Sequence, residues 1–217
     1  MRPLRVVALA AVVACAAHAA DAQTPPPVRA TPAAPASSTA DTNAAGLIPA
    51  GFGTLRQDNL AIRLELPDLI VRIIPLDESV IRTLSPDSYR ALRGQVESHR
   101  ALLTRLATQH GLQRASVWYV EFFGLAPDAR FSPEELTITS GGREFRPVEV
   151  VPLSTGFGSQ HLQPRDRQTA LYLFDDAVDV NQPLTVTFSG QTSAQWESTL
   201  RDVERERALI RSRARMP

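Results

Sequence analysis

One central segment of the chain is hydrophobic on both of its faces. Residues 116–123 are mainly β-branched or aromatic, the composition that suits a packed strand. Read with a period of two, one face of this strand carries Trp118, Val120 and Phe122. The other face carries Val117, Tyr119 and Phe123, and Glu121 interrupts it. Because a strand with one wet face would alternate strictly, this pattern predicts a strand that is covered on both sides.

Six further segments have the periodicity or the apolar composition of strands. They are residues 60–66, 69–74, 135–139, 143–151, 169–174 and 184–188. The second of them is apolar on both faces except at Arg72. Ser140-Gly141-Gly142 predicts a hairpin, because glycine tolerates a positive φ angle. Seven short strands separated by turns predict a mainly β (α+β) fold, an antiparallel immunoglobulin-like β-sandwich.

Two helices are predicted beside the strands. The first is an inserted amphipathic helix at about 86–110, with an N-cap and first turn at Ser85-Pro86-Asp87 and a stop at Gly111. Its apolar stripe consists of Tyr89, Leu92, Val96, His99, Leu103, Leu106 and His110. We expect this stripe to cover either Trp118 or Val117. The second helix is predicted at about 193–213, with Thr192 and Gln195 as a capping box.

The first fifty residues predict export. Residues 1–22 have the basic start, apolar run and small-residue cleavage sites of a signal peptide, with cleavage expected before Gln23. An alternative is that Val12-Val13-Ala14-Cys15, which resembles a lipobox of bacterial lipoproteins, makes Cys15 a lipidation site and anchors the protein in the envelope. Residues 23–53 are rich in proline and alanine and predict a disordered tether. Residues 54–217 are then a single domain, located in the periplasm or secreted.

Composition excludes several classes of chemistry. The formal net charge is zero, so no global field favours nucleic acid. All 23 basic residues are arginine, which rules out lysine Schiff bases and a P-loop lysine. Cys15 is the single cysteine, so removal of residues 1–22 leaves no disulfide or thiol nucleophile.

The segment 154–167 is the best functional candidate, because long loops without periodicity are often functional. Its candidate binding residues are Phe157, Gln160, His161, Arg165, Asp166 and Arg167. They combine hydrogen-bonding groups with one apolar anchor. The alternative is that Phe157 belongs to the core and that the polar residues are only solvated.

A second hypothesis for the same loop is hydrolysis. Ser159, His161 and Asp166 are the residue types of a nucleophile, a base and an orienting acid. They lack the strand-to-helix setting of a nucleophile elbow. No residue is therefore assigned as catalytic.

No metal or cofactor is expected. His99 and His110 are three turns apart on one helix and cannot share an ion. The acidic run at 175–181 does not have the spacing of a calcium-binding EF-hand loop and is typical of turns.

The sequence thus favours a non-catalytic binding or scaffold module that recognises an envelope protein or a cell-surface component. Two alternatives stay open. One is a hydrolase-like enzyme that uses Ser159 and His161. The other is a strand-accepting periplasmic chaperone-like module, which requires a long open edge strand. Neither nucleic acid nor a transmembrane span in the mature chain is expected.

Overall fold

A computed structural model describes residues 47–215 of the chain. The predicted signal peptide, Cys15 and residues 23–46 of the predicted tether lie outside the described residues. Within the described part, residues of the predicted tether already contact the domain. Ile48 is buried, and its carbonyl oxygen accepts a hydrogen bond from Arg82 at 3.2 Å. The packed chain therefore begins ahead of the predicted boundary at residue 54.

The described residues form eleven strands and four α-helices, and the strands are shorter and more numerous than the seven predicted. The strands are β1 (Ile62–Glu65), β2 (Leu69–Pro75), β3 (Ser116–Gly124), β4 (Ala129–Arg130), β5 (Thr137–Ser140), β6 (Arg143–Phe145), β7 (Glu149–Pro152), β8 (His161–Leu162), β9 (Arg167–Phe174), β10 (Leu184–Phe188) and β11 (Gln191–Ser193). The helices are α1 (Gln57–Leu60), α2 (Glu78–Ile81), α3 (Pro86–Gln109) and α4 (Trp196–Arg213).

The strands form three antiparallel sheets. A five-stranded sheet has the order β1-β2-β3-β9-β7, and a four-stranded sheet has the order β11-β10-β5-β6. Strands β4 and β8 pair only with each other. In the five-stranded sheet β3 lies at the centre, with Val120 opposite Ile73 of β2 and Ala170 of β9. The fold is therefore mainly β, with helices added.

Strand β3 is completely buried on one face, whereas the apolar residues of its other face, Val117, Tyr119 and Phe123, are half-buried. Trp118, Val120 and Phe122 are completely buried. The ring of Phe122 lies 5.5 Å from that of Phe188 in the four-stranded sheet, and the ring of Trp118 lies 6.5 Å from that of Trp196 in α4. The second sheet and α4 therefore share this face in a sandwich-like arrangement.

The C-terminal end of helix α3 contacts the opposite face of the five-stranded sheet, which is the face of Val117. Leu173 of β9, which pairs with Val117, is fully buried, as is Leu171 beside it. At the end of α3, Nε2 of His110 lies 3.4 Å from Oε2 of Glu149 in β7. The Trp118 face is packed against α4, and the contact of His110 with Glu149 lies on the Val117 face, where the stripe was expected as one of two alternatives.

The ends of both helices differ in detail from the prediction. Helix α3 begins at Pro86, but the Ser85 side chain makes no capping hydrogen bond. Its end is as expected: Gly111 has a φ angle of 70°, and the Leu112 amide bonds back to the Ala107 carbonyl oxygen at 2.8 Å. The predicted start of α4 was wrong, since it begins at Trp196 rather than residue 193.

The capping box expected at the start of α4 is absent because its two residues have other partners. Thr192 belongs to β11, and its hydroxyl lies 2.9 Å from that of Thr187 in β10. The Gln195 side chain accepts a hydrogen bond from the Arg63 amide and donates one to the Ala61 carbonyl oxygen. Gln195 thus attaches the start of α4 to β1.

The predicted strand at 143–151 is two strands in different sheets. Residues 143–145 form the expected hairpin with β5, through Gly141 and Gly142 at positive φ. Residues 149–152 cross to the five-stranded sheet and pair with β9. The break lies at Arg146 and Pro147, because proline restricts the preceding residue and cannot donate to the ladder.

A short N-terminal strap (residues 53–55) is bound to the loop after α2. The Leu55 amide donates to the Thr83 carbonyl oxygen at 3.2 Å, and the Ser85 amide donates to the Leu55 carbonyl oxygen at 2.8 Å. A Cβ atom on Gly53 would lie 2.2 Å from the Thr83 carbonyl oxygen, which is too close for any side chain. Glycine is required there for the close backbone approach.

Candidate functional site

The segment 154–167 is more ordered than its lack of periodicity suggested. Residues Phe157–Ser159 form a turn of 3₁₀ helix, and His161–Leu162 form β8. Strand β8 pairs with β4, so that Arg130 lies opposite His161. The segment therefore contains regular secondary structure and pairs with another strand of the domain.

Phe157 fixes the segment to the core. Its side chain is buried, and its ring lies 5.3 Å from that of Phe131 and 6.1 Å from that of Phe122. Phe157 thus stabilises the core and is not exposed for contact with a ligand. This placement corresponds to the core alternative for this residue.

Polar contacts fix the two flanks of the segment. The Gln168 side-chain amide donates to the His161 carbonyl oxygen at 3.0 Å, and the Ser154 hydroxyl accepts a hydrogen bond from the Thr169 amide at 3.0 Å. The Arg165 amide donates to the Gly124 carbonyl oxygen at 2.9 Å. A Cβ atom on Gly124 would lie 2.3 Å from the Gln163 carbonyl oxygen, so only glycine allows this approach.

Three non-glycine residues near this segment have left-handed backbone conformations. The φ angles are 54° at Asp128, 54° at Gln160 and 71° at Arg165. Asp128 is held by a hydrogen bond of 2.9 Å from the Gln163 side chain to its carboxylate. Such conformations carry a backbone cost, and they often cluster where a loop presents functional groups.

The polar side chains predicted to bind a ligand are all exposed, but they differ in how free they are. Asp166 accepts a hydrogen bond from the Gln163 amide at 3.0 Å. The guanidinium group of Arg167 lies 5.5 Å from the centre of the Phe123 ring. Among residues 47–215, the side chains of Gln160, His161 and Arg165 form no hydrogen bond or ion pair, and neither does that of Arg130. We call these four residues the β8 surface.

The three residues of the hydrolase hypothesis do not form a relay. The Ser159 hydroxyl donates to the Gly156 carbonyl oxygen at 2.8 Å and accepts a weak hydrogen bond from the His161 backbone amide. Asp166 is bonded to Gln163. Because no hydrogen bond joins the His161 ring to either side chain within the described range, the arrangement lacks the contacts that activate a serine.

A polar network that was not predicted from the sequence lies on the Val117 face of the five-stranded sheet. Arg72 and Glu121 are cross-strand partners, and Nη1 of Arg72 lies 3.3 Å from Oε1 of Glu121. Arg72 also pairs with Asp58. The signal in the sequence was a single charged residue in each of two otherwise apolar strands.

This network changes the electrostatics of its neighbour Tyr119. Burial raises the pKa of Tyr119, and the negative charge of Glu121 raises it further. The hydrogen bond from Thr169 and the nearby Arg72 and Arg167 oppose these effects. The phenol of Tyr119 therefore stays protonated at neutral pH.

Neither a metal centre nor a membrane-spanning helix is found in the part of the chain that the structure describes. No three His, Cys, Asp or Glu residues among positions 47–215 come together in a way that could hold a metal ion. Asp175 and Asp179 instead accept hydrogen bonds from the amides of Ala177 and Asn181, as turn residues do. Of the helices in the same range, none is both long and apolar enough to cross a bilayer.

Comparisons with protein-family models, with curated proteins and with solved structures gave no match.

Proposed function

We propose that this protein is a non-catalytic binding module of the cell envelope that recognises an envelope protein or a cell-surface component through the β8 surface. The observation that carries the proposal is the contrast between backbone and side chains in this region. The backbone is fixed in left-handed conformations at Gln160 and Arg165, while the side chains of the same two residues have no partner among residues 47–215. A loop whose backbone is already fixed loses little backbone entropy when a partner binds.

The chemistry of the β8 surface suits polar recognition. Arg130 and Arg165 supply planar groups of hydrogen-bond donors, and His161 and Gln160 each offer a donor and an acceptor. Arginine is one of the residue types that contribute most to protein interfaces. The surface is therefore suited to a partner with carboxylate or amide groups.

Hydrolysis is a weaker proposal because Ser159, His161 and Asp166 are not hydrogen-bonded to one another through their side chains. Strand acceptance is also weaker, because the edge strands of the two large sheets have only three or four residues. Pro147 precedes β7, and Pro152 ends it. Gln195 occupies two backbone groups at the edge of β1. Short edges with prolines oppose the addition of a strand.

The export of the protein and the immunoglobulin-like character of its fold form part of the same proposal. Export is supported by the signal-peptide pattern of residues 1–22, and the immunoglobulin-like outline of the sandwich is supported by its antiparallel sheets. An intact mass of the processed protein tests the first point. A mass that corresponds to a chain starting at Gln23 supports export with simple removal of the signal peptide. A mass that corresponds to a chain starting at a diacylated Cys15 supports an envelope anchor. A mass that includes residues 1–22 contradicts export.

The binding proposal is tested by affinity capture of the full chain from its own envelope fraction with matched variants. The test variant carries Arg130→Ala, His161→Ala and Arg165→Gly, since glycine keeps the left-handed backbone without strain. The control variant carries Arg201→Ala and Arg205→Ala on the exposed side of α4. We expect the same partner with the wild type and the control, and its loss with the test variant at an unchanged melting temperature.

Equal retention of the partner by all three proteins would place the contact elsewhere and contradict the proposal. A hydrolytic activity of the purified chain that His161→Ala abolishes would instead favour the enzyme hypothesis.

A further inference from the structure

A cleft of about 190 Å³ lies between α4, α2 and the first described residues of the chain. Its lining consists of Leu47, Ile48, Ser79, Asn181, Arg207 and Arg211. Two of these six residues are cationic, and none is acidic. A concave site lined by one sign of charge concentrates the field and attracts counter-ions.

Arg207 is a fixed cation at the base of this cleft. Arg207 is only 8% exposed. Nε and Nη2 donate to the Ser79 carbonyl oxygen at 3.1 and 2.8 Å, and Nη2 also donates to the Asn181 side-chain oxygen at 2.9 Å. Nη1 donates to Glu204, whose side chain is 56% exposed, so the charge of Arg207 is balanced from the solvent side. One Nη1 hydrogen is left for another acceptor, since arginine has five donors.

Arg211 lies one helical turn further along the same face of α4 and is exposed. Within residues 47–215 its side chain has no ion pair and no hydrogen bond, unlike Arg201, Arg205, Arg207 and Arg213 of the same helix. The cleft therefore holds one unpaired guanidinium group, that of Arg211, and the ion-paired one of Arg207.

The other polar groups of the lining have partners inside the protein. The Ser79 hydroxyl donates to Asp77 at 2.5 Å, and the Asn181 side-chain amide donates to Asp179 at 3.3 Å. The donors available to a ligand are therefore those of Arg211, the remaining hydrogen of Arg207 and the second hydrogen of the Asn181 side-chain amide. Leu47 and Ile48 form an apolar wall that reduces competition from water.

We propose that this cleft is a binding site for a phosphate group, either as inorganic phosphate or as a phosphomonoester. Two guanidinium groups on different turns suit a tetrahedral anion, whose oxygens point in different directions. A carboxylate would be satisfied by the fork of Arg211 alone and would gain little from Arg207. The site is separate from the β8 surface and does not depend on the function proposed for it.

The test measures phosphate binding to the full chain by thermal unfolding and by phosphorus NMR line width, with ionic strength held constant with sodium chloride. A ligand that binds only the native state raises the melting temperature in a saturable way. We expect saturable stabilisation by phosphate and a much smaller effect of acetate. The Arg211→Gln variant removes one charge from an exposed side chain, so it should fold normally and bind phosphate about tenfold more weakly.

The matched control is Arg201→Gln, which makes the same charge change on an exposed residue of α4 outside the cleft. Its phosphate affinity should equal that of the wild type. Absence of saturable binding by the wild type, or an equal loss of affinity in both variants, would overturn the proposal.

A second arm identifies the source of the phosphate with vesicles that contain phosphatidic acid, whose headgroup is a phosphomonoester. Sedimentation with the vesicles that requires Arg211 and is displaced by free phosphate supports a lipid headgroup as the ligand. Phosphate binding without sedimentation supports a soluble phosphate compound.

Discussion

Oε1 of Glu206 accepts two hydrogen bonds from Thr54, 152 residues earlier in the chain, at 2.9 Å from its amide and 3.0 Å from its hydroxyl. The same carboxylate oxygen lies 2.8 Å from Nη1 of Arg213. One nearly buried acid therefore connects the N-terminal strap to helix α4. Several measurable properties depend on contacts of this kind.

Replacing Glu206 with glutamine should lower the free energy of unfolding at pH 7 by about 1 to 2 kcal/mol, because a charged acceptor becomes neutral. Burial by itself would raise the pKa of Glu206, but the hydrogen bonds from Arg213 and Thr54 outweigh it and hold the pKa below the usual 4.5. The stabilisation is then complete above pH 4.5 and is lost as the pH falls through the lower pKa of the folded state.

The difference between wild type and Glu206→Gln should therefore shrink on acidification, as measured by urea denaturation across the acidic range. Glu197→Gln, which removes an exposed acid on the same helix, should change stability by less than about 0.5 kcal/mol. A difference that stays constant down to strongly acidic pH would disprove the role of the Glu206 charge.

Phe157→Ala should cost about 3 to 5 kcal/mol of stability, because the buried ring would leave a cavity beside Phe122 and Phe131. Phe52→Ala is the matched control, since the Phe52 side chain is 45% exposed, and its effect should be near zero. Chemical denaturation of both variants checks this. Equal small effects would mean that Phe157 is not a core residue.

Gly124→Ala should destabilise the protein by about 1 to 3 kcal/mol and loosen the segment 163–166, because the added methyl group would collide with the Gln163 carbonyl oxygen. Gly94→Ala is the opposite case. Gly94 lies within α3 with open space around it, so alanine should raise stability by about 0.5 to 1 kcal/mol. Thermal unfolding and hydrogen exchange of residues 163–166 measure both effects, and opposite signs are the expected outcome.

Tyr172→Phe should leave stability unchanged or raise it by about 1 kcal/mol. The Tyr172 side chain is fully buried between the sheets, its hydroxyl has no hydrogen-bond partner among the described residues, and burial raises its pKa. Tyr89→Phe removes a hydroxyl that donates to Glu78 at 3.1 Å and should lower stability instead. A loss of stability in Tyr172→Phe would reveal a buried partner for its hydroxyl, such as a water molecule.

The elements that were predicted well are those that local sequence determines. Helix α3 was expected at about 86–110 and is found at Pro86–Gln109, because proline, a long apolar stripe and Gly111 all act within a few residues. Composition predicted that β3 is covered on both faces, and the structure shows complete burial on one face and partial burial on the other. Trp118, Val120 and Phe122 are fully buried on one face, and Glu121 is buried on the other.

The errors arise where a distant partner decides the structure. The start of α4 depends on Gln195 bonding to β1, more than 130 positions earlier. The division of residues 143–151 between two sheets depends on β9, which follows later in the chain. Cross-strand register cannot be read from either segment by itself.

The candidate site shows the same limit. The segment 154–167 was located from its sequence, but the role of Phe157 depends on whether Phe122 and Phe131 lie within reach. The pairing of Arg72 with Glu121 required the register of β2 against β3. Arg130 and Arg165 come to one surface only through the pairing of β4 with β8, which their separate segments do not determine.

The N-terminal strap has a mechanical consequence. Tension applied at residue 47 would first load the hydrogen bond from Arg82 to the Ile48 carbonyl oxygen. It would then load the contacts of Thr54 with Glu206 and the two backbone hydrogen bonds between Leu55 and the loop after α2. These few bonds would yield before the ladders of β2, β3 and β9, which are longer and lie deeper. Under tension the strap should therefore detach in a separate early step. The end-to-end distance then increases by the extended length of several residues, while the sheets stay folded.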